Sequence, residues 1–208
     1  LATPVIAVVL TMIAGGILFA FLGKNPFETI RTIFWDPIFG EFAFYYRGQL
    51  LVKAGPLILI AIGLSLGFRA GIWNIGAEGQ FIFGAIVATG VGLWLGEALP
   101  TAIMVPLVIL AGAFGGALLA SFSAVPRVYL GTNEIITTLM LNFIALAFMN
   151  YLIFGSNSPW KDTAVSTFPQ GRPLPDSARI PEFFNRLDWG IFVAIAIAIG
   201  AWVLVNRT

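Results

Sequence analysis

Long apolar runs alternate along this chain with short polar clusters. Six runs reach or approach the roughly 20 residues that cross a bilayer as a helix: 4–22, 50–68, 80–95, 101–125, 135–155 and 189–205. Five of them hold no Asp, Glu, Lys or Arg. The second holds only Lys53, near one end, where a long side chain reaches the interface. The pattern predicts an all-α, polytopic membrane bundle: a single transmembrane domain over residues 1–208 with about six spanning helices.

The segments between the runs differ in kind. Residues 24–49, beginning "KNPFETIRTIFWDPIFGEF", alternate aromatics with three acids and three bases, which suits an amphipathic segment lying in the interface. Residues 156–188 carry five prolines and balanced charge and read as an extramembrane loop. Small residues recur at every fourth position in three runs: Gly63, Gly67, Gly71; Gly84, Ala88, Gly92, Gly96; and Gly112, Gly116, Ala120, Ala124. That spacing lays a smooth stripe on one helix face, and close helix packing is its first expectation.

Composition narrows the classes. The chain is 59% hydrophobic and 10% charged, with mean hydropathy +0.94; soluble domains carry about 25% charged residues. A net charge of +1 gives no electrostatic case for nucleic acid as a partner. No Cys and no His remove disulfides, thiol nucleophiles, imidazole bases and the commonest zinc ligands, so no catalytic and no metal-binding residues are assigned. The chain starts without Met and stops at "VLVNRT", so it reads as the N-terminal part of a longer protein. The first run lacks a basic flank and an A-x-A site and is expected to be a span, not a cleaved signal.

Two clusters carry polar groups into apolar surroundings. In "GFRAGIWNIGAEGQFIFGA", residues 67–85, Gly71, Gly76 and Gly79 interrupt what would otherwise be helix, at about 1 kcal/mol each relative to alanine. A broken or re-entrant segment near 69–80 is predicted, and such backbone persists at membrane depth only where it is enclosed by protein or lines a wet cavity. Asn74, Glu78 and Gln80 become candidates for a translocation pathway, with Arg69 and Glu78 a possible structural ion pair. Alternatively the segment is a surface loop and Glu78 merely opens the next helix, where an acid complements the helix dipole. In "GTNEIITTLMLNFIALAF", Glu134, Thr138 and Asn142 stand four apart on one helix face, facing either a pathway or a neighbouring helix. Asn133 can cap that helix. No G-x-x-x-x-G-K-[ST] loop is present, so this chain has no phosphate-binding ATPase motif.

"FRAGIWNIGAEGQFIFGA" and "GTNEIITTLMLNFIA", in that order, resemble two signature blocks of permease subunits of bacterial ABC importers in the branched-chain amino acid and simple-sugar class, in the branch associated with nucleoside uptake. "VLVNRT" resembles the lead-in to the cytoplasmic coupling helix of that family. The resemblance implies a permease of the bacterial cytoplasmic membrane. Its partners would be a second permease subunit, identical or paralogous, two ATP-binding subunits and an extracytoplasmic substrate-binding lipoprotein, with ATP bound on a separate subunit and no cofactor in this chain. It also implies that residues 74–80 and the start of the fifth span flank the translocation path and that Arg69, Arg127 and Arg207 are cytoplasmic. Counting bases, eight against three, points the other way. The cargo would be a nucleoside, with simple sugars or branched-chain amino acids as the alternative. Rival classes are an ATP-independent secondary transporter or channel, and a membrane-embedded enzyme using Glu78 and Glu134. The second rival is weakened by the missing His and Cys.

Overall fold

A computed structural model describes residues 2–155, 158–162, 164, 170–184 and 187–207. Helices follow in the order α1 Ala2–Phe21, α2 Pro26–Ile30, a π-helical turn Arg31–Trp35, α3 Asp36–Phe39, α4 Ala43–Arg69, α5 Ala77–Leu95, α6 Thr101–Leu130, α7 Glu134–Phe154 and α8 Gly190–Arg207. Five of these, α1, α4, α5, α6 and α7, are long and apolar enough to cross a membrane. The sixth predicted span falls in α8, whose apolar part, Gly190–Val203, is shorter. The all-α class holds, although a short antiparallel pair, β1 Glu182–Phe184 with β2 Leu187–Asp188, precedes α8. Helix α4 starts earlier than the apolar run suggests, and α6 runs past its own to take Arg127 into its last turn. The predicted interfacial segment holds α2, the π turn and α3; part of the predicted 156–188 loop lies outside the described residues.

Helix ends follow from glycine chemistry. Three glycines have positive φ, Gly23, Gly71 and Gly131, and each stands just past the end of a long helix. After α1, Lys24 N–H donates to Phe19 O at 2.9 Å and Gly23 N–H to Ala20 O at 3.0 Å. After α4, Ile72 N–H donates to Gly67 O at 2.9 Å and Gly71 N–H to Phe68 O at 3.1 Å. Both are Schellman turns, in which a left-handed residue lets the chain satisfy the last carbonyls; glycine alone adopts it without steric cost. At the other end of a helix, Asn25 caps α2 by accepting from Phe27 and Glu28 N–H, with Pro26 in the first position.

The chain divides into two compact units, Leu1–Leu57 with Glu182–Gly200, and Ile58–Pro181 with Ala201–Thr208. In the first, α1 meets α2 where Ile30 and Pro26 cover Gly16, and Gly55 of α4 faces Ile191 and the fully buried Ala194 of α8. In the second, α5 and α6 pack antiparallel backbone to backbone. A Cβ on Gly84 would stand 2.7 Å from Gly112 O, and one on Gly116 would stand 3.3 Å from Gln80 O. Leu, Ile and Phe side chains are largely exposed on these helices. That is expected in lipid, where burying a leucine gains little and close approach of small residues holds helices together.

The small-residue stripes are divided between tasks. Gly84 and Ala88 serve the α5–α6 contact, whereas Gly92 and Gly96 seat Leu174 and Pro175 of the chain between α7 and α8. Gly63 of α4 meets nothing within 4 Å, because it borders a cavity.

Candidate functional site

The interruption predicted near 69–80 occupies residues 70–76, between the Schellman turn of α4 and the start of α5 at Ala77. Glu78 and Gln80 therefore lie in the first turns of α5, outside the break, as the helix-opening alternative has it. The break is tied down by side-chain bonds. Asn74 Oδ1 accepts from Gly76 N–H at 2.9 Å, closing a tight turn, and Asn74 Nδ2 donates to Gln80 Oε1 at 3.0 Å while Gln80 Nε2 donates back at 3.4 Å. These two amides clasp the break to the helix it feeds.

A second set of bonds ties the break to α7. Ile75 N–H donates to Thr138 Oγ1 at 3.2 Å, and Thr138 Oγ1, buried, donates to Glu134 O at 2.7 Å. Asn142 Nδ2 donates to Glu78 Oε2 at 3.4 Å. Two glycines admit α7 this closely: a Cβ on Gly76 would overlap the Thr138 carbonyl oxygen, and one on Gly79 would stand 2.7 Å from Asn142 Cα. Neither glycine is there for unusual torsions; Gly76 has φ −97°. Gly71, with φ +73° and open space around it, is there for its torsion.

The structure thus brings all six candidate pathway residues together around the first turns of α5 and α7, but on two faces. Asn74 and Gln80 border a cavity of about 400 Å³ between the second half of α4, α5 and α6, with Gly63, Phe81, Gly112 and Gly116 among its other walls. Among the described residues, none that borders it is charged. Thr138, Asn142 and Glu78 lie in the α5–α7 seam instead, while Glu134 meets Arg127 at the end of α6. Asn142 Oδ1 in that seam and Thr132 Oγ1 in the turn between α6 and α7 are buried without a hydrogen-bond partner.

The expected Arg69–Glu78 pair is corrected. Among the described residues the ion pairs are Arg31–Asp36, Arg179–Asp176 and Arg127–Glu134. Arg127 Nε reaches Glu134 Oε2 at 3.2 Å, and its Nη1 donates to Thr132 O at 3.4 Å. The physical reason is the left-handed turn at Gly131, which folds the last turn of α6 against the first of α7, whereas Arg69 ends α4 exposed and Glu78 bonds Asn142. The sequence signal was the Arg-x3-Gly spacing ahead of an acid at a helix start.

The Glu134 side chain is only 11% exposed but Arg127 is 47% exposed, so water screens the pair and its worth is modest. A double-mutant cycle of Arg127→Gln and Glu134→Gln is expected to give a coupling of about 0.2–1 kcal/mol in thermal unfolding. A coupling several times larger would show that the two charges are effectively dry.

Among the described residues no group of three or more His, Cys, Asp or Glu side chains gathers as metal ligands would. What the site offers is hydrogen bonding by neutral amides, a hydroxyl and the Glu78 carboxylate, together with backbone freed from helix.

Residues 46–208 match the family described as branched-chain amino acid transport system / permease component. The chain is 31% identical over 218 residues to a glucose ABC transporter permease protein of Haloferax volcanii, covering 99% of this chain and 55% of that protein. It is 29% identical over 210 residues to a guanosine ABC transporter permease protein of Bacillus subtilis, covering 100% of this chain and 58% of that protein. A nucleoside ABC transporter permease protein of Lactococcus lactis is 33% identical over 150 residues, covering 72% of this chain and 40% of its own length. The chain spans little more than half the length of the first two. No solved structure matches it.

Proposed function

Because the chain belongs to the branched-chain amino acid transport permease family, and is a multi-pass protein of the cell membrane, we propose that it forms part of the translocation pathway of an ATP-driven importer of nucleosides. The single observation that supports the cargo is the uncharged cavity beside the break, where the Asn74 and Gln80 amides are the polar lining. Paired amides donate and accept at once, which suits a neutral molecule bearing hydroxyls and ring nitrogens. A zwitterionic amino acid needs charged partners to offset its desolvation, and none of the described residues that line this cavity is charged.

Energy for uphill transport comes, in this reading, from ATP-binding subunits, since this chain has no phosphate loop of its own. A second permease subunit and a substrate-binding protein complete the assembly. A second reading, a sugar importer with the same architecture, is favoured by the similarity to the glucose permease protein; a hexose is also neutral and hydroxyl-rich.

The test is uptake of labelled guanosine by cells expressing the full-length protein with its neighbouring transport genes, with and without a Walker-lysine substitution in the ATP-binding subunit. Uptake abolished by that substitution and competed by other nucleosides, but not by glucose, is the expected result. Competition by glucose alone would transfer the cargo to sugars, and uptake indifferent to the substitution would sink the ATP-driven reading.

A further inference from the structure

At the opposite end of α5 from the break, residues 158–162 and 170–175 form a clasp over the helix. Arg172 N–H donates to Trp160 O and Asp162 N–H to Gln170 O, both at 2.8 Å, with Lys161 and Gly171 bridged antiparallel. Ser158 Oγ anchors the clasp to Leu152 O of α7, and Ser177 Oγ holds the chain beyond it to Gly96 O. Leu174 and Pro175 sit in the space that Gly92 and Gly96 leave. The Trp160 indole is pressed onto Gly90, where a Cβ would be 3.2 Å from its ring.

Two cavities meet at that ring. The outer one, about 620 Å³, presents Trp94, Trp160, Glu97, Asp162 and Arg172. The inner one, about 150 Å³, runs between α5 and α7 past Ile82, Ile86, Thr89 and Met149. Trp160, Arg172 and Leu93 border both. Further along the α5–α7 seam from the inner chamber lie Glu78, Asn142 and Thr138.

We propose that the outer chamber is the reception site for the cargo and that the Trp160 indole is the partition the cargo displaces to enter the inner chamber. The proposal rests on the importer reading above. The chemistry of the chamber suits a molecule with a flat or ring-shaped apolar face and several hydroxyls. Indoles stack on such a face, and Glu97, Asp162 and Arg172 accept from and donate to its hydroxyls. The clasp is held by backbone bonds and by Ser158, so the indole can leave its seat on Gly90 without unmaking the frame.

The chain has no cysteine, so Thr89→Cys places a unique thiol among these residues, within the inner chamber. It is read in the full-length protein, assembled with its partner subunits in membrane vesicles, with cysteines outside this chain replaced. A membrane-impermeant maleimide is expected to label that thiol about tenfold faster when Trp160→Ala is added, while Trp160→Phe, which keeps a ring in place, labels near the parent rate. Millimolar guanosine is expected to slow labelling of the Trp160→Ala form. Equal labelling of parent and Trp160→Ala overturns the proposal, as does labelling of Trp160→Ala that neither guanosine nor glucose slows. Protection by glucose but not guanosine retains the reception site and overturns only the nucleoside reading.

Discussion

Gly79→Ala in the full-length protein is expected to lower its thermal unfolding midpoint by several degrees, a cost of about 1–3 kcal/mol from overpacking. The added methyl would stand 2.7 Å from Asn142 Cα and 2.8 Å from Asn142 Oδ1. The first neighbour is backbone, which no rotamer change can move, so the first turn of α5 must lift away from α7. Lifting it stretches the Asn142–Glu78 bond, already 3.4 Å, and the Ile75–Thr138 bond of 3.2 Å. Gly76→Ala acts through the same seam, against the Thr138 carbonyl. Gly63→Ala is the control: it lies within α4 and its methyl meets nothing within 4 Å, so it is expected to unfold at or above the parent midpoint, by up to about 1 kcal/mol of helix propensity. If Gly79→Ala in detergent melts with Gly63→Ala, the α5–α7 contact is not as close as described.

That contact marks the boundary of what the residue pattern could disclose. Spans were legible because lipid demands long uncharged runs, and five of six returned as membrane-length helices. The interruption was legible because three glycines within nine residues oppose helix at any depth. Which glycine does what was not legible: Gly71 is needed for its torsion, Gly76 and Gly79 for their missing side chains, and sequence spacing records neither. The polar candidates were found by type and helical spacing, yet their partners depend on which helices become neighbours. Arg69 stood nearer Glu78 in sequence than anything on α7, but Asn142, 64 residues away, makes the bond. The stripe from Gly84 to Gly96 shows the same limit. A smooth face announces close approach by something, and only the fold tells that a helix takes one half and a loop the other.

Asn74→Ala is expected to cut transport about tenfold or more while leaving the assembled complex intact. Asn74 makes three hydrogen bonds, accepting from Gly76 N–H and Gln80 Nε2 and donating to Gln80 Oε1. At about 1 kcal/mol net for each bond, truncation releases the turn before α5 by an amount large against local fluctuations, yet small against the stability of a whole bundle. Gln80 is then left with its amide unpaired at the cavity edge, so the lining a neutral cargo would meet is altered twice. Asn74→Asp separates the two roles. A carboxylate still accepts from Gly76 N–H and preserves the turn, but it cannot donate to Gln80 Oε1 and it introduces charge into an uncharged cavity. Uptake rates and co-purification of the ATP-binding subunit are measured for both variants. Turn and lining both matter if Asn74→Ala and Asn74→Asp each lose uptake with normal co-purification. Full uptake by Asn74→Asp and none by Asn74→Ala would make the turn the whole of the residue's role and move the cargo's path away from the cavity. Normal uptake by Asn74→Ala would remove Asn74, and the clasp it makes with Gln80, from the pathway.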